Sequence, residues 1–466
     1  MSSSAYNKKK EYLTTSESLY KSAIYLAWPV ILQSLLQVSV GTVDIKMVGT
    51  LGVDAISAVG TSRNIVMILM VLVMGISTGT TAMVSRFIGR GDERNASRSA
   101  GQAFLLSLML GVFIMPVGLL TNEISLRLLG VEESVLELAI DYMTVFFIAI
   151  PFFLLHFMAK SIFQGAGDTK TPLVIDIIMN LVNIGGNFIF IFGMLGFPAM
   201  GVAGAAIGTA LSRITGAALG WGALLSGRFV VKVYPKDMLK PVWSAAGQIV
   251  RIGTPAALQG LSRNASTFVL FAILARTADA AAAVPAFVIG TNLNQYALMP
   301  GLAIGTAAAT LSGMNLGAGK HERAEKSGKA TAVLGAGTMF FISVLFVIFA
   351  RPFISFFLDA PNEQVISVGR TYLAIIAASE PFHAVAIITS RTMQGAGFTK
   401  KPFQVTFFSW VVIRLILAYI LAILFGLDST GVWIAISISS VISGVLTYGI
   451  FLGGEWKKVA IDPVSE

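Results

Sequence analysis

Asp44 is the residue from which chemistry is easiest to argue. It sits in "VSVGTVDIKMVG", within an apolar run long enough to cross a membrane. A charged side chain at the centre of such a run costs about 2.5–3.5 kcal/mol on insertion scales, and it normally faces a cavity or a partner. Lys46 is only two residues away, and residues two apart point to different faces of a helix. The local pair is poor, so the carboxylate is read as functional. Further along, Asp176, Asn180, Asn183 and Asn187 follow one another at spacings of four, three and four. That spacing places them on one helical face. Two readings stay open for this stripe. The amides glue neighbouring helices, or they line a cation or proton site with Asp44. Amide oxygens beside a carboxylate suit a hard cation such as Na+, with Asp44 and Asn183 as ligands. The same carboxylate can instead carry a proton.

The second half of the chain carries a different polar set. "SEPFHAVAIITSRTMQGAG" puts Glu380 and His383 three apart, and Arg263 and Arg414 lie in neighbouring apolar runs. A buried ion pair between Glu380 and Arg263 or Arg414 is the expected arrangement, with a proton or substrate role as the other reading. His156 and Arg213 stay ambiguous. Catalytic signals are poor: there are three histidines and no cysteines. No zincin pair or strand-borne GxSxG occurs, and "GAGDTKT" lacks the GK[ST] ending of a phosphate loop. An enzyme is not expected, and no cofactor is implied.

These side chains need elements to hold them. The chain has 466 residues, 55% hydrophobic and 12% charged, with a mean hydropathy of +0.79. A soluble domain carries about 25% charged residues, so this chain cannot cover a globule with polar surface. An all-α integral membrane protein is expected. Twelve apolar runs can each span a hydrocarbon core of ~30 Å. They are 24–48, 56–84, 100–121, 134–160, 172–194, 200–225, 245–274, 282–312, 329–350, 371–393, 403–425 and 431–453. Pro29, Pro151, Pro255, Pro300 and Pro381 read as kinks or breaks near helix ends. The N-terminus lacks an apolar h-region with a cleavage site, so no removable signal peptide is expected.

The net charge of +9 would suggest nucleic acid in a soluble protein. Here the basic residues fall in short loops, and no nucleic-acid partner is expected. With twelve spans both termini share a side. Lys and Arg crowd the loops of that side, whereas the opposite loops hold only Arg127, Arg276, Arg351 and Arg370. The positive-inside rule places both termini in the cytoplasm, at the cell (inner) membrane.

"QGAGDTKTP" (164–172) returns as "QGAGFTKKP" (394–402), an offset of 230. Pro151-Phe152 returns as Pro381-Phe382 at the same offset, and Pro29 matches Pro255 at 226. The chain therefore reads as two six-helix lobes, 1–228 and 229–466, with a cytoplasmic linker over 226–251. The copies lie an even number of spans apart. Their topologies agree, and the pseudo-two-fold axis is expected along the membrane normal. Glycines allow a tight turn, and Pro172 and Pro402 suit the first turn of the next helix. Adding 230 to Asn180, Asn183 and Asn187 gives Trp410, Ile413 and Leu417. The asparagine stripe belongs to one half alone, whereas glue needed by both bundles should recur. Two similar bundles that rock around a cavity suit a transporter better than an enzyme.

The motifs resemble those of the multidrug and toxic compound extrusion (MATE) family. The carrying stretches are "WPVILQSLLQVSVGTVDIKMVGTLGVDAISAVG" (28–60), "GISTGTTAMVSRFIGRGDERNA" (75–96), "LVNIGGNFIFIFG" (181–193), "GVAGAAIGTALS" (201–212) and both QGAG segments. The resemblance covers essentially the whole chain. It implies twelve helices in two lobes and export of amphipathic, often cationic compounds in exchange for Na+ or H+. It also implies that Asp44, Asn183 and Thr209 belong to the N-terminal lobe's cation or proton site, as in the DinF-like branch. That branch often has a second aspartate where this chain has Asn187. NorM-like members carry acids near the positions of Arg263 and His383, so their C-lobe cation site is expected to be absent here, although Glu380 lies close enough to substitute. The expectation is a monomeric antiporter of small organic substrates, in contact with membrane lipids. A flippase for lipid-linked or anionic cargo is the alternative, kept alive by Arg63, Arg213, Arg263 and Arg414.

Overall fold

A computed structural model of the protein describes residues 13–15, 18–229, 231–358, 360 and 362–464, and none of these residues forms a strand. Residues 1–12, on which most of the signal-peptide reading falls, lie outside them. Among the described residues twelve long helices follow one another. The first six are α1 (Leu19–Gly49), α2 (Val53–Arg90), α3 (Glu93–Leu128), α4 (Glu133–Gly165), α5 (Lys170–Phe192) and α6 (Gly201–Ser226). The next six are α7 (Trp243–Leu274), α8 (Ala280–Gly317), α9 (His321–Ile348), α10 (Glu363–Gly395), α11 (Lys400–Leu424) and α12 (Asp428–Gly453). Eleven of them are long and apolar enough to cross a membrane. The exception is α7. Its 32 residues extend roughly 48 Å at 1.5 Å per residue, but Gln248, Arg251, Gln259, Arg263 and Asn264 dilute its apolar character. Large apolar side chains such as Leu120, Phe268 and Phe341 stand well exposed, as lipid contact requires. The chain is a multi-pass membrane protein.

The helices outrun the apolar runs that announce them. Segment 85–99, which the apolar runs leave as a connection between 84 and 100, is almost wholly helical. Gly91 adopts the left-handed conformation (φ 79°) that ends α2. Asp92 then caps α3, its side chain accepting from the Asn95 N–H at 3.0 Å. Apolar length measures hydrocarbon thickness, whereas helical hydrogen bonding continues into the charged interface. The five prolines do not break their helices either. Pro29, Pro151, Pro255, Pro300 and Pro381 all lie inside continuous helices.

The chain divides into two compact units. One holds Trp28–Gly253, the other Leu13–Ala27 and Thr254–Ile461, so the division falls inside α1 and α7. In the first unit, part of the 226–251 linker forms a short helix, Pro235–Leu239, tied to the start of α3. Arg94 donates to both Asp237 oxygens at 2.7 and 2.8 Å, Ser97 adds a third bond, and Gln102 donates to the Asp237 carbonyl at 3.0 Å. In the second unit, Phe287, Tyr372 and Trp433 pack together as the heart of an apolar core.

The two QGAG segments make the same connection, α4 to α5 and α10 to α11. Gly167 (φ 76°) and Gly397 (φ 88°) take the left-handed turn in each. Gln33 on α1 donates to the Thr169 carbonyl at 3.0 Å. Gln259, which is Gln33 shifted by 226, donates to the Pro402 carbonyl at 3.4 Å and to Thr406 Oγ1 at 2.7 Å. Each half thus ties its first helix to the start of its fifth.

Candidate functional site

The close approach of α5 and α6 sets the site in the first unit. A Cβ at Gly204 would lie 2.4 Å from the Phe190 carbonyl oxygen, and one at Gly208 would lie 2.3 Å from Asn187 Oδ1. Small residues at this spacing let two membrane helices pack backbone to backbone. Asn187 is thereby fully buried, and its Nδ2 donates to Asp44 Oδ1 of α1 at 2.6 Å. One turn away, Asn183 Nδ2 donates to Thr209 Oγ1 of α6 at 3.3 Å. The Oδ1 atoms of Asn183 and Asn187 are buried without hydrogen-bond partners. Such acceptors are rare in a settled interior. Below Asp44 an apolar cluster of Met47, Val48, Ile191 and Val202 seals the helices together. The structure therefore brings Asp44, Asn183, Asn187 and Thr209 to one place. Asn180 is on the same face of α5, partly exposed.

Asp176 belongs elsewhere. Eleven residues separate it from Asn187, which amounts to about 16 Å along the helix. Lys160 Nζ of α4 meets its Oδ2 at 2.8 Å, and His156 Nε2 lies 3.4 Å from its Oδ1. The four-residue stripe is one face but two sites. Arg213 of α6 lies within electrostatic reach of both Asp44 and Asp176, and of Tyr142. Its guanidinium sits 5.2 Å from the Phe153 ring centroid, with Nε buried and unpartnered. Sequence reasoning left Lys160 out. The signal was present, since His156 and Lys160 are four apart on one face of α4.

The expected ion pair in the second unit is not formed. Glu380 is 2% exposed and points Oε1 at His383 Nδ1, 3.7 Å away, while its Oε2 has no partner. Neither arginine pairs with it among the described residues. Arg414 instead donates through Nε to Ser439 Oγ at 2.7 Å and through Nη2 to Ser440 Oγ at 3.2 Å. Hydroxyls from the neighbouring α12 thus take two of its donors in place of an acid. Arg263 makes no side-chain hydrogen bond or ion pair among the described residues; its contact is the Trp410 ring, at 5.5 Å. Trp410 lies in a π-helical stretch, Phe408–Ile413, and a second one covers Ile420–Leu424. No group of three or more His, Cys, Asp or Glu side chains suited to a metal occurs among the described residues.

A duplicated, all-helical membrane protein with acid and amide groups gathered inside one half has the make-up of a transporter. The MatE family model matches residues 29–189 and 255–420, and the chain belongs to this family of multidrug and toxic compound extrusion transporters. Its members move small organic compounds, need no cofactor and are not enzymes. The probable multidrug resistance protein NorM of Thermotoga maritima (strain MSB8) is 28% identical over 459 residues, covering 98% of this chain and 97% of its own. An FAD transporter of Shewanella oneidensis (strain MR-1) is 25% identical, covering 87% of this chain and 88% of its own. An outward-facing multidrug resistance MATE transporter of the MOP superfamily shares the fold with a TM-score of 0.88 at 23% identity, over 96% of this chain and 99% of that one.

Proposed function

We propose that the protein is a secondary active antiporter that exports amphipathic organic compounds in exchange for H+ or Na+, with the coupling ion taken up at Asp44. The observation that carries this reading is the 2.6 Å bond from Asn187 to Asp44 across α5 and α1. A proton or Na+ at the carboxylate weakens that bond and changes how α1 meets α5. Asn183, with its unpartnered carbonyl oxygen, and Thr209 are the further ligands of Na+; Asn180 lines the approach. Coupling needs both ligands to differ in affinity between two states of the protein. The N-lobe mechanism of the DinF-like branch fits these residues better than a C-lobe mechanism, because Glu380 faces His383 and stands alone as an acid. We place the protein in the inner membrane, with both termini cytoplasmic, as a monomer of two lobes.

Proteoliposomes loaded with a fluorescent cationic dye, given first a Na+ gradient alone and then a pH gradient alone, identify the ion. Asp44→Asn should abolish gradient-driven efflux while inserting normally. Undiminished efflux by that variant would falsify the assignment. Cationic cargo follows from the family resemblance. Anionic cargo is the second reading, favoured by Arg263, which has no acid beside it, and in keeping with a relative named as an FAD transporter.

A further inference from the structure

The basic groups of the second unit converge on one indole. The Arg414 guanidinium carbon lies 3.5 Å from the Trp410 ring centroid, that of Arg263 lies 5.5 Å away, and the His383 ring lies 5.5 Å away. Three helices supply them: α7, α10 and α11. Arg391 of α10 is within electrostatic reach of Arg263. Glu380 adds one carboxylate to the neighbourhood and is turned towards His383.

The arginines are not equivalent. Arg414 is 3% exposed, donates to Ser439 and Ser440, and sits close over the indole. A structural cation for Trp410 is therefore already in place. Arg263 repeats the contact at a looser distance, and its Nε is buried with no partner. A guanidinium inside an apolar segment with neither counter-charge nor hydrogen bond is costly. Both Arg263 and Trp410 keep partial exposure. The backbone points the same way. Trp410 rides on a π-helical turn, a feature frequent at functional sites, and Ser266 Oγ of α7 donates to its carbonyl at 2.7 Å.

We propose that Arg263 and Trp410 form an organic-anion site in the C-terminal half, which takes the acid group of an aromatic cargo molecule. The guanidinium fork of Arg263 matches a planar oxyanion with two parallel N–H donors. The indole offers an apolar face to the ring that bears the acid. Arg414 and Arg391 keep the local potential positive. This inference deepens the anionic-cargo reading above and rests on the protein being a transporter.

The test uses the full chain in lipid nanodiscs and two isosteric probes, 2-naphthoate and its neutral amide, 2-naphthamide. Equilibrium binding should be saturable for naphthoate and about tenfold tighter than for naphthamide, as one charge-assisted bidentate contact gives. Arg263→Gln should erase that difference, costing naphthoate far more than naphthamide. Trp410→Leu should weaken both probes together. Should Arg263→Gln not fold, Arg263→Lys keeps the charge but loses the fork, and should still cost naphthoate several-fold. Equal affinity for the two probes, a preference that survives Arg263→Gln, or no saturable naphthoate binding by folded protein would each overturn the proposal. Displacement of naphthoate by inorganic phosphate at similar concentration would overturn its aromatic part. The assay needs no gradient and no turnover, so a failure of Asp44 coupling leaves its result intact.

Discussion

α5 and α11 hold the same place in the two halves, yet their side chains have opposite chemistry. Asn180, Asn183 and Asn187 on α5 stand where α11 has Trp410, Ile413 and Leu417. Thr209 on α6 becomes Ser439 on α12 by the same offset of 230. Each hydroxyl serves its neighbour: Thr209 accepts from Asn183, Ser439 from Arg414. Asp44, shifted by 226, becomes Leu270, which is 1% exposed in the core around Phe287 and Trp433. One half sets a partly buried acid among amides where the other packs aliphatic and aromatic groups beside arginines. The backbone has diverged too, α5 being a regular α-helix and α11 twice relaxing into π-turns. A helical frame held by backbone hydrogen bonds tolerates this turnover, even with acceptors on Asn183 and Asn187 and the Arg263 Nε left unpartnered.

Replacing α5 side chains with their α11 counterparts tests the comparison most severely. Asn187→Leu removes a hydrogen bond to a charged group, worth about 1.5–3 kcal/mol. Gradient-driven efflux in proteoliposomes should fall tenfold or more, beyond what the accompanying drop in melting temperature explains; normal efflux would mean that the halves differ without functional consequence. Next comes Lys160→Met, which leaves the buried Asp176 with only the longer His156 contact, at a cost of about 3 kcal/mol. A thermal melt in nanodiscs should show it, and the double variant Lys160→Met/Asp176→Leu should recover most of the loss. If the double variant is as unstable as the single one, the pair is not the reason Asp176 is tolerated. Gly208→Ala drives a methyl into Asn187 and should cost about 1–3 kcal/mol, with coupled efflux falling alongside. The smallest effect belongs to Ser439→Ala, about 1–2 kcal/mol in the melt, because Ser440 still accepts from Arg414.

Much of the frame was legible in the sequence. Apolar runs located all twelve helices, and the offset of 230 paired the connections correctly. Helix ends were under-read, because Arg86, Arg90 and Glu93 look like loop residues to a hydropathy window but sit in helices capped by Gly91 and Asp92. The site was legible in part. A period near 3.6 shows that Asp176 and Asn187 share a face. It does not show that different neighbours, Lys160 and Asp44, meet the two ends of that face. The pairing of Arg414 with serines was hidden because hydroxyls occur throughout α12 and carry no charge signal. Nothing in "FSWVVI" announces a π-turn, which depends on how neighbouring helices press on the backbone.

Gln33 and Gln259 have a consequence for ancestry and motion together. Gln33 ties α1 to Thr169, which leads into α5, and Gln259 ties α7 to Pro402 and Thr406 in the first turns of α11. The chemistry between the ties has been rewritten in one half while the ties themselves stand in both. A single ancestral bundle with one such glutamine accounts for the pair. Its inheritance is mechanical: while the bond holds, a tilt of α1 or α7 pulls on the start of the fifth or eleventh helix.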